Sequence, residues 1–568
     1  MANFTTSPGV AISEIDNTFL TGQPVQAGAA IIGPTVKGPV EVPTLVTSYS
    51  DFQTLFGDTF VSGGNSYSYL TSIAAYNYFN YGGTSLLVAR VVTASANWSA
   101  AQSTTVTNYL NAASSSFSLE TLSKGVIMNS SGSEISGALA SGSTDNVRWE
   151  ITNSNTGSGT FNLLVRRGND TTAKKTVLEA FNNVNLDPNS PRYISKVIGD
   201  QVLNYNSTTN QMELSGSYPN NSRYVRIKTI NYNTPNYFDA NGVAVSAYTS
   251  SVPINGSGSF TSATGNVQNT INLYDNISNT NTQGLVGASY NNMITLLGNA
   301  EQYQFNVLFT PGLLNDSHTA QVTTIITNTI SRGDNLYVMD LATFGSTLGE
   351  AVTEAQSRDT SYAAAYWPWV RIIDPATGKH VWVPASTVIP GVYAHNDKVA
   401  APWFAPAGIN RGGLNTVLQA ELKLSQGNRD TLYSNNINPI ATLPKQGVVV
   451  FGQKTLQKSQ SALDRVNVRR LMIELKNYIR QIADTVVFEQ NTIATRNSFV
   501  ARVSPFLEGI QQKQGLYAYK VVMDESNNGP AVIDQNQLVG QIYIQPTRTA
   551  EFISLDFILQ PTGAEFPG

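Results

Sequence analysis

Apolar and polar positions alternate differently in three successive parts of the chain. Up to about residue 95, short β-branched runs sit between Gly-Pro punctuation, as in GAAIIGPTVKGPVEVPTLVTSYSDFQTLFG, which is a pattern of strands and turns. In SYLTSIAAYNYFNYGG, residues Leu70, Ile73, Ala74 and Asn77 recur near helical spacing, and Gly82 supplies a stop. SLLVARVV, residues 85–92, is a continuous apolar run of the kind shown by a strand covered on both faces. Strand, helix, strand in that order predicts an α/β core.

From 96 to 286 the chain is crowded with Asn, Ser and Thr. It nevertheless keeps Trp, Tyr, Leu, Ile and Val at strand spacing, as in VRWEITNSNTGSGTFNLLVRRG and SRYVRIKTI. A β-rich inserted domain with a polar outer surface fits this pattern better than disorder does. After 287 the α/β texture returns. YQFNVLFTPG and NLYVMDL read as strands, and AQVTTIITNTI between them reads as a helix. If one sheet takes these strands and SLLVARVV, the first and third parts form a single core interrupted by the second.

The expected fold is therefore a multidomain α/β (α+β) architecture with four parts. They are an N-terminal arm over 1–22, a discontinuous α/β core over 23–95 and 287–400, a β-rich insertion over 96–286, and a C-terminal domain over 401–568. The arm SPGVAISEID, with Pro8, Gly9, Val10 and Ile12, is extended and has no core of its own. In EFISLDFIL, Ile553, Leu555, Phe557 and Leu559 share one face, while Phe552 and Ile558 lie on the other. Such a strand is an aggregation hazard as a free edge and needs a partner strand.

The segment DRVNVRRLMIELKNYIR, residues 464–480, carries the densest charge in a chain that is only 13% charged. Val468, Leu471, Met472, Leu475, Ile479 and Ile482 recur every three or four positions and form one helix face. Asp464 or Asn467 is placed to cap its N-terminus. Arg469 and Arg470, adjacent on the helix, point about 100° apart. Read on its own, the segment is a solvated amphipathic helix whose ion pairs are each worth only about 0.3–0.5 kcal/mol.

Composition narrows the possible functions. The 568 residues exceed what one core usually holds, 41% are hydrophobic, and the net charge is −4, without the basic excess of a nucleic-acid binder. There is no cysteine, which removes disulfides and thiolate metal sites. The opening MANFTTSPGVAISEIDN lacks the basic start and apolar run of a signal peptide, and no apolar run is long enough to predict a transmembrane helix. His318, His380 and His395 share no zinc-binding spacing and read as surface or structural residues. GVVVFGQKT has two glycines at phosphate-loop spacing, but Gln453 stands where that loop needs Lys, so it reads as a buried strand and turn. YWPWVRIIDPATGKHVWVP is rich in Trp. Packing explains this best, and a sugar platform is the competing reading, which with the polar middle would make a carbohydrate-binding or wall-degrading component.

These pieces together resemble the tail sheath proteins of contractile-tailed bacteriophages. The resemblance lies in SPGV, GPTVKGPVEVPTLVTSYSDFQTLFG and YFNYGGTSLLVARV at the front. It is strongest in APWFAPAGINRG, DTLYSNNINPI, GVVVFGQKTL, DRVNVRRL, VFEQN and IYIQPTRTAEFISLDF towards the end. It implies a structural, non-enzymatic subunit without cofactor or metal. Such subunits form hexameric rings, stacked helically around an inner tail tube, and contract on a baseplate trigger to drive the tube through the host envelope. The implied partners are copies of itself, the tail tube protein, and the baseplate and tail terminator proteins, with no direct nucleic-acid contact and no membrane insertion. The implied place is the virion tail, assembled in the host cytoplasm. The same architecture serves bacteriocin, secretion and extracellular injection particles. In this family terminal arms link subunits by strand exchange, which fits the two orphan strands, and the C-terminal domain faces the tube. Asp464, Arg465, Arg469, Arg470, Lys476 and Arg480 are thus the expected subunit or tube contacts, with one of the adjacent Arg469 and Arg470 serving an intrasubunit pair and the other meeting a neighbour or the inner tube.

Overall fold

The computed structural model of the protein describes residues 25–62, 64–110, 113–267 and 276–552. Both candidate linking arms, with Pro8, Gly9, Val10, Ile12, Ile553, Leu555, Phe557 and Leu559, lie outside the described residues. The apolar runs assemble into one eight-stranded sheet. Its strands are β1 (Val25–Gly33), β2 (Thr44–Val46), β3 (Leu86–Arg90), β4 (Tyr303–Leu314), β5 (Leu336–Asp340), β6 (Ala363–Trp367), β7 (Ile437–Leu443) and β8 (Gly447–Val450). Their spatial order is β2-β3-β1-β4-β5-β6-β7-β8. The run from β3 to β7 is parallel, and β2 and β8 add antiparallel edges.

Parallel strands need long crossovers, and the crossover helices cover both faces of the sheet. Side-chain alternation follows from this. Ile31, Leu86 and Val88 enter one apolar cluster, and Ile32, Leu87 and Ala89 enter the other. The helices over them include α1 (Leu70–Asn80), α2 (Thr319–Arg332), α3 (Ile389–Val399) and α4 (Gln426–Ser434). Ile73 and Ala74 of α1, with Val392 and Tyr393 of α3, close one face. Val322 and Ile325 of α2, with Leu432 of α4, close the other. Gly82 ends the α1 turn at φ +108°, a conformation that favours glycine. His318 starts α2 as a buried structural residue, its Nδ1 accepting from the Leu314 amide at 3.2 Å.

The middle of the chain builds its own antiparallel sheets. Val147–Asn155, Thr160–Arg167 and Val177–Asn185 pair in sequence, while Phe117–Lys124 pairs with Ala100–Ser103 and Val225–Ile230. Their inner faces form a separate cluster in which Phe117 and Phe161 stack at 5.7 Å. Part of the charge in this polar region is turned inward. Arg166 grips Asp170 with two bonds of 2.8 Å and Glu150 at 3.0 Å, with the guanidinium fully buried. At the root of the insertion, buried Arg90 donates to the carbonyls of Gly38 at 2.6 Å and Lys124 at 3.0 Å and stacks on Trp98.

Two expected boundaries need correction. The division at 400–401 falls within the chain of the central sheet, because β7 and β8 come from the segment assigned to the C-terminal domain. A separate domain beginning at 401 would leave β6 with an unpaired apolar edge. At the other junction, Ile277 and Leu285 pack into the core clusters. The Gln283 amide accepts from the Leu70 backbone N at 2.9 Å and donates to Pro311 O at 3.0 Å. The insertion's own strands end at Thr261, so 277–285 is core chain. The Trp cluster is packing: Trp367 and Trp369 are buried, and Trp369 donates to Ala342 O. A sugar platform there would lack these two rings.

Asp340, at the end of β5, is buried and accepts from the Ser386 amide at 2.9 Å and hydroxyl at 2.5 Å. Burial pushes its pKa from the ordinary 3.8 up to about 7, and the two Ser386 bonds only partly oppose this. The folded state thus holds a proton that the unfolded chain releases. Its contribution is complete below about pH 4 and is lost as the pH rises to about 7. Asp340→Asn should remove that slope. Urea unfolding across this window should show native stability falling by up to about 4 kcal/mol relative to the variant. Parallel pH profiles would contradict the assignment.

Candidate functional site

The charged segment forms α5 (Val466–Asp484), followed by α6 (Ile493–Gln512), β9 (Leu516–Val522) and β10 (Gln541–Pro546). Neither Asp464 nor Asn467 caps α5. Arg465 occupies the cap position without a side-chain cap bond, and the Asn467 amide donates instead to Trp403 O at 3.2 Å. The first turns of α5 are buried on every side, because the helix is sandwiched. Val466 and Ile473 join the cluster on one face of the main sheet. Leu471 and Leu475 join a second cluster with Phe499, Val503, Leu507 and Ile510 of α6 and Leu516 of β9.

This sandwich decides where the arginines go. Arg469 is 4% exposed, lies 3.9 Å over the Tyr362 ring and donates to the Ser361 hydroxyl. Arg470 is 6% exposed, pairs with Asp397 at 2.5 Å and lies 4.8 Å over the Tyr393 ring. Burial pulls the pKa of both down. Asp397 outweighs this for Arg470 and leaves it raised, whereas Arg469 stays lowered. The expected division, one arginine inward and one outward, is therefore corrected: both are engaged inside this chain. Asp464 pairs with Arg465 at 3.1 Å, and Arg465 also reaches Glu551 at 2.8 Å. Lys476 is exposed and donates to the Tyr362 hydroxyl at 3.0 Å. Arg480 is exposed and makes no ion pair among the described residues.

Sequence reasoning missed the receiving residues. Ser361, Tyr362, Tyr393 and Asp397 lie far from α5 along the chain, and no spacing links them to it. It also missed the C-terminal ribbon. β9 and β10 pair antiparallel from Leu516↔Pro546 to Val522↔Gln541, with no third strand among the described residues. One face, including Ile542 and Ile544, packs toward α5 and α6, while Gln541, Tyr543 and Gln545 face outward. Beside β10 runs a cleft of about 450 Å³ lined by Met472, Leu475, Ile479, Ile542 and Ile544, with Lys476 and Arg480 at its rim. No group of three His, Cys, Asp or Glu is placed to hold a metal, and no helix is long and apolar enough to cross a membrane, among the described residues. What the arrangement offers is a ribbon that has two strands among the described residues and is packed on α5 and α6.

Residues 286–456 match the phage tail sheath protein central domain, and residues 458–560 match the phage tail sheath C-terminal domain. The tail sheath protein of Vibrio phage KVP40 is 39% identical over 220 residues, 39% of this chain and 33% of that protein. That of Enterobacteria phage T4 is 40% identical over 185 residues, 33% of this chain and 28% of that protein. The matched stretches thus span about a third of the length of these two relatives. The fold is similar to the helical sheath of the anti-feeding prophage in its contracted state, with TM-score 0.50 and 16% identity over 98% of this chain and 99% of that one. It is also similar to a sheath tail protein from Listeria innocua, with TM-score 0.53 and 11% identity over 93% and 96% of the two chains. The sequence matches to both the central and the C-terminal domain define the class as phage tail sheath proteins. The chain belongs to the phage tail sheath protein family.

If α5 is fastened through its arginines, removing them should act on folding. Arg470→Ala should lower stability by about 3 kcal/mol, at the low end for a broken buried pair because Asp397 is partly solvated. Arg469→Ala should cost roughly 1–2 kcal/mol in lost ring stacking and packing. Arg480→Ala should stay within about 0.5 kcal/mol. Guanidinium titrations of the three variants check the ranking, and equal stabilities would contradict it.

Proposed function

We propose that this chain is the polymerising subunit of a contractile tail sheath in which neighbouring subunits are joined by strand addition to the β9–β10 ribbon. The open ribbon carries this reading. An isolated two-stranded ribbon is marginal in water, and each free edge presents unpaired backbone donors and acceptors. The chain also supplies two arm sequences with strand character, over 1–22 and 553–559. Adding them across subunits saturates the edges and links rotating neighbours through main-chain hydrogen bonds. The apolar cleft beside β10 offers a shelf for the side chains of an added strand. Head-to-tail linkage of this kind gives a helical array when the rotation does not close.

On this reading the subunits form stacked hexameric rings around the tail tube. Contraction, triggered at the baseplate, drives the tube through the host envelope for genome ejection. Partners are further copies of this chain, the tail tube protein, and the baseplate and tail terminator proteins, with assembly in the host cytoplasm. The exposed Lys476 and Arg480 are the remaining basic side chains of α5 available to a neighbour or the tube. A related contractile injection particle is the second reading, favoured by the full-length likeness to the anti-feeding prophage sheath. The phage relatives favour a virion tail.

Negative-stain microscopy of the purified chain should show tubes or stacked rings. Removing residues 1–17 should leave a folded subunit with unchanged circular dichroism that no longer forms them. Normal tubes from that truncation would contradict arm exchange.

A further inference from the structure

One carboxylate near the C-terminal end of the described chain gathers side chains from α4, the loop after β8 and the start of α5. Glu551 stands five residues beyond β10, immediately before the segment 553–568. Its Oε1 accepts from Arg465 Nε at 2.8 Å and from Gln453 Nε2 at 3.0 Å, and its Oε2 accepts from the Tyr433 hydroxyl. Arg465 is the N-cap of α5, Gln453 lies in the turn after β8, and Tyr433 belongs to α4. The Gln453 amide also donates to the Thr549 hydroxyl at 2.6 Å. Phe552 then meets the Tyr433 ring edge-on at 6.4 Å, and Lys454 lies over that ring at 4.4 Å. Burial alone would raise the Glu551 pKa, but the bonds from Arg465, Tyr433 and Gln453 outweigh it and hold it below the usual carboxylate range.

We infer that Glu551 is a positioning residue that fixes where the chain stands at Phe552, the root from which the exchanged C-terminal arm of the proposed function continues. Thr549, Glu551 and Phe552 lie in chain without regular secondary structure, and the span from Thr547 to Phe552 bridges the ribbon to the main α/β body. Without the clamp, that root swings with the rotation of six residues. With it, Glu551 and Phe552 are held against a surface set by α4, the loop after β8 and the start of α5. A strand that must find an edge on another subunit gains effective concentration when its root is held. The inference rests on the arm-exchange reading above. It adds that the linkage is aimed from within the subunit.

The full chain carries the test, in three forms: Glu551→Ala, Glu551→Gln and removal of 553–568. Trypsin cutting after the exposed Arg548 reports how firmly the root is held, read by mass spectrometry as loss of the last 20 residues. Glu551→Ala should leave the thermal midpoint within a few degrees of native. It should speed that cleavage, and raise the subunit concentration at which tubes form, each on the order of tenfold. Glu551→Gln keeps the shape and the acceptor but loses the charge, and should fall between native and Ala. Removal of 553–568 should abolish tubes. If removal abolishes tubes while Glu551→Ala assembles and is cut as native, the positioning role is wrong and arm exchange stands. If removal leaves tubes intact, arm exchange at this end is wrong.

Discussion

The burial of two adjacent arginines at the start of α5 constrains the rest of the C-terminal half. A guanidinium is costly to take out of water unless charge, hydrogen bonds or ring faces replace its hydration. Here Asp397, Ser361 and the rings of Tyr362 and Tyr393 do so. All of them belong to the main α/β body. A helix whose cations are held by that body gives up an ion pair, a hydrogen bond and two ring contacts when it leaves. Its opposite face, through Leu471 and Leu475, carries α6 and the ribbon. The arginines thus tie the ribbon's base to the eight-stranded sheet. The scarcity of charge elsewhere fits a chain whose internal clamps are local and few.

Much of this architecture was legible in the chain. The apolar runs at 85–92, 303–312 and 335–341 become strands of the buried sheet because continuous hydrophobicity is what two covered faces require. The alternation in the Asn/Ser/Thr-rich middle becomes antiparallel sheets with a core of their own. Other features were hidden for identifiable reasons. Periodicity tells a strand from a helix but does not name its neighbour, so the membership of β7 and β8 in the main sheet could not be read. The 100° between Arg469 and Arg470 suited one inward and one outward residue equally well. Only a helix buried on all sides of its first turns admits both inside. Asn467 had cap chemistry, but its amide is held by Trp403 O. The Glu551 clamp joins residues 86 to 118 positions apart, and no spacing rule reaches that far.

For a sheath subunit these features divide the labour. The buried parallel sheet and the α5 clasp form a body that transmits force with little internal give, as densely packed interiors do. On the proposed arm exchange, the β9–β10 ribbon, which has no third strand among the described residues, is where other chains would join by backbone hydrogen bonds that tolerate rotation. The inserted domain, closed around its own core and pinned by Arg90, contributes no strand to the main sheet. It meets the body through Tyr205 and Met212, which pack on one core cluster, and through the Lys37–Asp145 pair at 3.1 Å.

The central claim is that α5 and the main sheet form one cooperative unit. Native-state hydrogen exchange of the unassembled subunit in rising denaturant tests it most directly, because separable units open at separate free energies. The account expects amides of 468–475 to become exchangeable in the same step as those of β1, β4 and β6, with the outward end of α5 opening earlier. Release of 468–475 together with α6 and the ribbon, while the sheet stays protected, would contradict it.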